Sequence, residues 1–333
     1  MRLGFVGVGR IGSAHSEVVR RHQDVESLVL ADDIPGRAAD VAQRLGCDSA
    51  TDVDEIIASG VDALLIASAT DAHAELILAG ARAGLPVFCE KPVALDIEQT
   101  RRVAEEVRQA GVQVQIGLQR RFDQGYAAAR QALREGKVGD LHRVHLVTGD
   151  DKPPHPSYIP TSGGLYRDCH IHDFDILRWV TGREVVDVTA FGSNRGASFF
   201  REGNDVDNSA AVLRLDDDTL VTLQGSRYNG AGHDVRMELA GTEATYVVGL
   251  DERTPMTSAE QNVSFPEGEP WPNYWVRFTS AYVAEINAFV EVAKGAAPSP
   301  CDIDEALAAA YVAEAADLSM REDRRVELAE VSK

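Results

Sequence analysis

The first twelve residues carry the pattern that most narrows the fold. Leu3–Val8 reads as a β-strand that runs into Phe5-Val6-Gly7-Val8-Gly9-Arg10-Ile11-Gly12, and the helix-compatible stretch Ser13–Arg21 follows. A GxGxxG at a strand-to-helix junction has a mechanical reason. Gly7 permits the tight turn, Gly9 lets the backbone approach a pyrophosphate, and Gly12 lets helix and strand pack closely. Arg10 and Ile11, between the second and third glycines, are expected to bind the cofactor with them, and the helix N-terminus faces the phosphates. A second strand, Leu28–Ala31, ends at Asp32, 20 residues beyond Gly12. A carboxylate at that spacing accepts hydrogen bonds from the adenosine ribose and repels a 2′-phosphate. The expected cofactor is therefore NAD rather than NADP. Asp33 is a second candidate for the ribose, and Arg37 is the residue that speaks for a 2′-phosphate.

Beyond the fingerprint, apolar runs alternate with helical patterns up to about residue 118. Ala63–Ala67, Val87–Cys89 and Val112–Ile116 are strand-like, and Gly36–Leu45, Asp71–Ala83 and Ile97–Ala110 are helix-like. This alternation predicts an N-terminal Rossmann domain, a doubly wound parallel sheet, over residues 1–120. After about residue 120 one helix, near Gly125–Glu135, leads into strands at Arg143–Thr148, Val185–Ala190, Ala210–Leu215, Leu220–Gln224, Val235–Leu239 and Ala244–Val248. They predict an α+β domain over residues 121–333 built on a large, mostly antiparallel sheet. Asp251–Tyr274 reads as a long surface loop, and Phe278–Val292 and Ile303–Met320 read as two closing helices.

Charge removes whole classes of partner. Asp plus Glu number 53 against 33 Lys plus Arg, a net charge near −20, which opposes binding to nucleic acid or to anionic lipid. No run of 18 apolar residues occurs. The four cysteines, Cys47, Cys89, Cys169 and Cys301, lack CxxC spacing, so they read as reduced packing residues of a cytoplasmic protein without a signal peptide.

Two stretches carry polar residues that a solvated face does not explain. Glu90-Lys91-Pro92 follows a parallel strand and so sits at its C-terminal edge, where open α/β sheets bind ligands; a lysine there meets the nicotinamide end. The local sequence alone also allows an ordinary surface lysine before a proline turn. The second stretch is Gly163-Gly164-Leu165-Tyr166-Arg167-Asp168-Cys169-His170-Ile171-His172-Asp173-Phe174-Asp175. With a helix starting near Asp168, the residues Asp168, His172 and Asp175 fall at i, i+4 and i+7 and share one face. The helix dipole pushes a first-turn histidine toward its neutral form, which suits a general base, while neighbouring carboxylates push the other way.

The glycine fingerprint, Glu90-Lys91-Pro92 and the Gly-Gly…Asp168-x-x-x-His172-x-x-Asp175 pattern together resemble the glucose–fructose oxidoreductase/inositol dehydrogenase family, often called Gfo/Idh/MocA. The resemblance spans nearly the whole chain, including Pro298–Asp302 and Arg325-Val326-Glu327-Leu328. Within the family, Ile171–Asp175 and Arg178–Gly182 are most similar to bacterial inositol 2-dehydrogenases. The resemblance implies NAD-dependent oxidation of a secondary hydroxyl of a cyclitol or sugar to a ketone. It implies that His172 takes the hydroxyl proton, Lys91 hydrogen-bonds that oxygen and Asp168 orients the pair. It further implies that Glu90 and Lys91 lie at the cofactor, that Asp175, Arg120 and Tyr228 (on a strand of the second sheet) face the substrate, and that subunits pair sheet to sheet as a homodimer or homotetramer. The Asp150-Asp151-Lys152-Pro153-Pro154-His155 loop departs from the inositol dehydrogenases where they contact the ring, which leaves the polyol open.

Other outcomes stay on the table. A zinc cluster of His155, Asp168, His170, His172 and Asp173 lacks a cysteine pair, and no metal is expected. A dinucleotide- or sugar-sensing regulator has no need of Lys91, Asp168 and His172 together. An oxidation-assisted glycosidase or another sugar dehydrogenase uses the same residues and differs only in substrate.

Overall fold

The computed structural model describes residues 1–264 and 268–333. They fall into two compact units, Met1–Gln119 with Ser280–Leu307, and Arg120–Thr279 with Ala308–Lys333.

The first unit contains six strands: β1 (Arg2–Val6), β2 (Ser27–Ala31), β3 (Asp48–Ser49), β4 (Ala63–Ile66), β5 (Val87–Glu90) and β6 (Val114–Gly117). Helices α1 (Arg10–Arg21), α2 (Arg37–Leu45), α3 (Val53–Ala58), α4 (Thr70–Arg82) and α5 (Ile97–Ala110) alternate with them. The sheet order is β3-β2-β1-β4-β5-β6, and every pairing is parallel. Strands covered on both faces must be apolar throughout, and β4 and β5 are buried at every residue. Asp52 and Asp96 start α3 and α5 by accepting the backbone N–H of Glu55 and Gln99, each satisfying a first-turn donor. The strand order reverses between β1 and β4, the position at which open α/β sheets bind ligands beyond the strand C-termini.

The sequence places everything after residue 120 in the second domain; the structure differs. Ile286, Phe289, Val290 and Val292 belong to the same buried cluster as Leu3, Phe5, Leu28, Leu30 and Phe88. Helix propensity locates such a segment but says nothing about which core takes its apolar face.

The second unit carries α6 (Gln124–Arg134), β7 (Leu141–Gly149), α7 (Leu165–Asp168), α8 (Ile171–Thr181), β8 (Val185–Ser193) and α9 (Phe199–Glu202). Then come β9 (Asn208–Leu215), β10 (Leu220–Ser226), β11 (Asp234–Gly241) and β12 (Thr245–Val248). Helix α10 (Tyr274–Ala293) is kinked at Phe278, and α11 (Ile303–Glu322), β13 (Val326–Glu327) and α12 (Leu328–Val331) complete the chain. The seven-stranded sheet has the order β12-β11-β7-β10-β9-β8-β13. Only the β7–β10 pair is parallel among the described residues. Alternation is clean on β9, where Ser209, Ala211, Leu213 and Leu215 are buried and Ala210 and Val212 are exposed. The described residues of 251–273 contain neither helix nor strand, as expected of a loop. No helix among the described residues is long and apolar enough to cross a membrane.

Candidate active site

Gly7 leaves β1 with φ +89°, a backbone conformation that side chains disfavour. A Cβ on Gly7 would lie 2.4 Å from the Ser68 backbone nitrogen, and one on Gly12 would lie 1.8 Å from the Gly7 carbonyl oxygen. These two glycines are therefore required by packing. Gly9 differs: a Cβ there meets nothing nearer than Arg37 Nη1 at 3.9 Å. It caps α1 without any side-chain hydrogen bond, so the first-turn amides at Arg10, Ile11 and Gly12 meet an open cradle. That arrangement fits a pyrophosphate.

Asp32 sits at the end of β2, and its carboxylate also organises the loop. Oδ2 accepts the Val8 N–H at 2.8 Å, Oδ1 accepts the Ile34 N–H at 2.9 Å, and Arg37 Nη1 lies 3.2 Å from Oδ1. The side chain thus ties the glycine turn to the loop that follows β2, while Asp33 is exposed.

Lys91 is half-buried at the C-terminal end of β5, where the sequence places it. Glu90 is buried, and its carboxylate accepts from His15 Nε2 at 2.7 Å. Side-chain ligand atoms of His15, Glu90 and Glu285 lie within 4.8 Å of one another. The His15–Glu90 contact is a hydrogen bond, with a proton between the two atoms.

In the second unit the helical stretch is interrupted: Asp168 ends the single turn α7, and His172 lies in the first turn of α8. Asp168 is locked by two donors that sequence spacing does not reveal. Tyr158 Oη donates to Oδ1 at 2.9 Å and Arg227 Nη2 to Oδ2 at 2.7 Å. Arg227, itself buried, also places Nη1 3.4 Å from Asp150 Oδ2 and 2.8 Å from Cys169 Sγ. Burial pushes the Asp150 carboxyl above its usual range against the pull of Arg227.

Two residues expected at the substrate are sealed in the interior instead. Asp175 is fully buried, and Arg121 Nε reaches both its oxygens at 3.1 and 3.0 Å. Arg120 pairs with Asp173 and donates to Thr148 Oγ1 at 3.1 Å, with its guanidinium over the Phe278 ring. Burial works against ionisation of Asp173, yet the Arg120 charge and the His170 hydrogen bond outweigh it and hold the carboxyl far below the carboxylate range. His170 joins the same network, bonding Asp173 Oδ2 and Ser209 Oγ at 2.7 Å each. A side chain seven residues along a helix shares a face, but neutralising a buried arginine decides which way this one points. Tyr228 lies two residues past the end of β10, not within a strand, with its hydroxyl accepting the Ala197 N–H at 3.1 Å. His172 is the one titratable side chain of α8 that is not buried, among the described residues.

Comparison with known proteins agrees with this architecture. Residues 1–118 match the oxidoreductase family with an NAD-binding Rossmann fold, and residues 126–247 match the GFO/IDH/MocA C-terminal domain. The chain is 36% identical to a myo-inositol dehydrogenase of Streptomyces leeuwenhoekii, over 94% of this chain and 96% of that one. It is 33% identical to an inositol 2-dehydrogenase of Rhizobium meliloti over 99% of both. A crystal structure of scyllo-inositol dehydrogenase from Lactobacillus casei with bound NAD(H) and scyllo-inositol superposes with a TM-score of 0.88 at 27% identity, covering 99% of each chain. The fingerprint, the two sheets and these full-length similarities identify the chain as a member of the Gfo/Idh/MocA family of NAD-dependent oxidoreductases.

Proposed function

We propose that this enzyme oxidises a secondary hydroxyl of a cyclitol to a ketone, with His172 as general base. The carrying observation is a contrast in burial around the start of α8: His170, Asp173, Asp175 and Arg178 are buried, whereas His172 is partly exposed. A base must reach the proton it removes. Asp168, held by Tyr158 and Arg227 at the end of α7, orients the imidazole. Lys91 donates a hydrogen bond to the reacting oxygen and stabilises charge that develops there. NAD, bound at the glycine cradle, supplies the hydride acceptor. The inositol dehydrogenases to which the chain is similar support a cyclitol over an aldose.

Initial rates of NADH formation at pH 8–9 test this, with myo-inositol, scyllo-inositol, D-glucose and D-xylose and with NAD against NADP. The expected result is fastest turnover of an inositol with NAD. No NADH from any inositol by a protein that binds NAD defeats the proposal and favours a sensor or an oxidation-assisted glycosidase.

The outer face of the second sheet exposes Phe191, Val212 and Leu220, with Val212 beside Thr189 and Phe191 beside Ala210 in register. An apolar sheet face needs a cover, and we infer that another copy supplies it, giving a dimer or tetramer by sedimentation at micromolar concentration. A monomer there rejects the inference. The reduced cysteines and net charge support a cytoplasmic setting.

A further inference from the structure

Both residues that flank Lys91 are gripped by buried imidazoles, and each imidazole comes from an element on the cofactor side. His15 lies in the second turn of α1, the helix that follows the glycine loop, and its Nε2–H donates to Glu90 Oε1 at 2.7 Å. Its ring is wedged edge-on against Phe88 and tilted against Tyr282, with centroids 5.9 and 5.6 Å away, so it has no room to swing. A Cβ on Gly117 would lie 3.1 Å from Glu90 Oε2 and 3.2 Å from Glu90 Cα; β6 therefore closes the other side of the same carboxylate.

His73, in the first turn of α4, takes the opposite flank. Its Nδ1 is 2.7 Å from the Pro92 carbonyl oxygen and its Nε2 is 3.2 Å from the Ser68 carbonyl oxygen. Both partners only accept, and a neutral imidazole has one N–H. The shorter contact assigns that proton to Nδ1 and Pro92. Burial pushes His73 below its ordinary value, in keeping with one donor rather than two. Ser68, on the far side of the ring, is the residue on which the Gly7 turn packs. At 0% and 1% exposure neither histidine can reach a ligand.

We propose that His15 and His73 are positioning residues for Lys91. They tie the Glu90 side chain to α1 and the Pro92 carbonyl to the first turn of α4, so the elements around the glycine turn also fix where the ammonium group stands. The inference rests on Lys91 acting at the reacting oxygen. A displaced lysine slows the chemical step and leaves cofactor affinity in place, and a misplacement of about 1 Å can cost on the order of 10² in rate.

The test exploits donor position. Asn puts its amide nitrogen near the place of histidine Nδ1, and Gln puts it near Nε2. His73→Asn and His15→Gln keep the donor, whereas His73→Gln and His15→Asn move it, with similar size and polarity. The expected pattern is reciprocal. The donor-keeping variants hold kcat within about threefold, and the donor-moving variants lose roughly 10- to 100-fold. The latter keep stoichiometric NAD binding with a dissociation constant within about threefold of wild type, and they show a larger primary deuterium isotope effect on kcat because hydride transfer has become slower. Equal kcat for Asn and Gln at each site overturns the proposal, as does a loss of kcat that tracks a loss of NAD binding. Lys91→Met separates the two layers of inference. If it is slow while all four histidine variants are normal, positioning alone fails; if it is as fast as wild type, the role of Lys91 fails and the positioning with it.

Discussion

Asp175 offers the sharpest test of how the interior is held together. Its carboxylate and the Arg121 guanidinium are 1% and 4% exposed, and the guanidinium faces it with Nε within 3.1 Å of both oxygens. Asp175→Ala removes the carboxylate that faces this buried guanidinium. Breaking a buried pair from one side costs about 3–5 kcal/mol, a large share of the roughly 5–15 kcal/mol that keeps a domain folded. At about 1.4 kcal/mol per tenfold, the unfolding constant rises by two orders of magnitude or more. Urea denaturation followed by circular dichroism reads this as a lower midpoint at unchanged m-value. The double variant Arg121→Met/Asp175→Leu removes both charges in an apolar, similarly sized form and should recover most of the loss. An Asp175→Ala protein of wild-type stability whose KM for an inositol has risen tenfold would refute this and return Asp175 to the substrate.

Three further outcomes are expected. Gly12→Ala forces a Cβ to within 1.8 Å of the Gly7 carbonyl oxygen and raises the NAD dissociation constant at least about tenfold; unchanged binding by fluorescence titration contradicts the packing role of Gly12. Asp32→Ser removes the carboxylate at the end of β2 and lowers the ratio of kcat/KM for NAD over NADP, whereas an unchanged ratio assigns the discrimination elsewhere. His233 is pushed down to about 3, first by burial and then by the Arg120 and Arg277 charges. The unfolded chain binds a proton near pH 6.5 that the folded chain refuses, so this stability is intact above about pH 6.5. It is lost as pH falls toward 3, at up to about 1.4 kcal/mol per unit. Denaturation midpoints of wild type and His233→Gln between pH 7 and 4 should diverge in slope, and parallel slopes reject the linkage.

Much of the fold is legible because its signals are local. Period-two and period-3.6 apolar patterns place the strands of both sheets, and GxGxxG with Asp32 places the cofactor loop, because each depends on neighbours within a turn or two. What escapes the sequence is side-chain pairing at long range. Nothing in Arg120-Arg121 tells that the two guanidinium groups neutralise Asp173 and Asp175 on α8, more than 50 residues away. Nor does the Asp168-x-x-x-His172 spacing tell that Tyr158 and Arg227 clamp the aspartate. The two histidines around Glu90-Lys91-Pro92 carry no local mark either; a buried histidine on an apolar helix face is a weak hint by itself. The two-residue strands β3 and β13 and the six-residue α3 escape for a simpler reason, being too short to show periodicity.

The central claim is that His172 removes the hydroxyl proton. Steady-state oxidation of the preferred inositol by His172→Ala, with NAD affinity measured in parallel, tests it most directly. Loss of a general base costs about 10²–10⁴ in rate, so kcat should fall by that factor while the NAD dissociation constant stays near wild type and the wild-type acid limb of the pH–rate profile disappears. A His172→Ala enzyme that turns over within a few-fold of wild type, with the acid limb still in place, contradicts the account and moves the base to another residue.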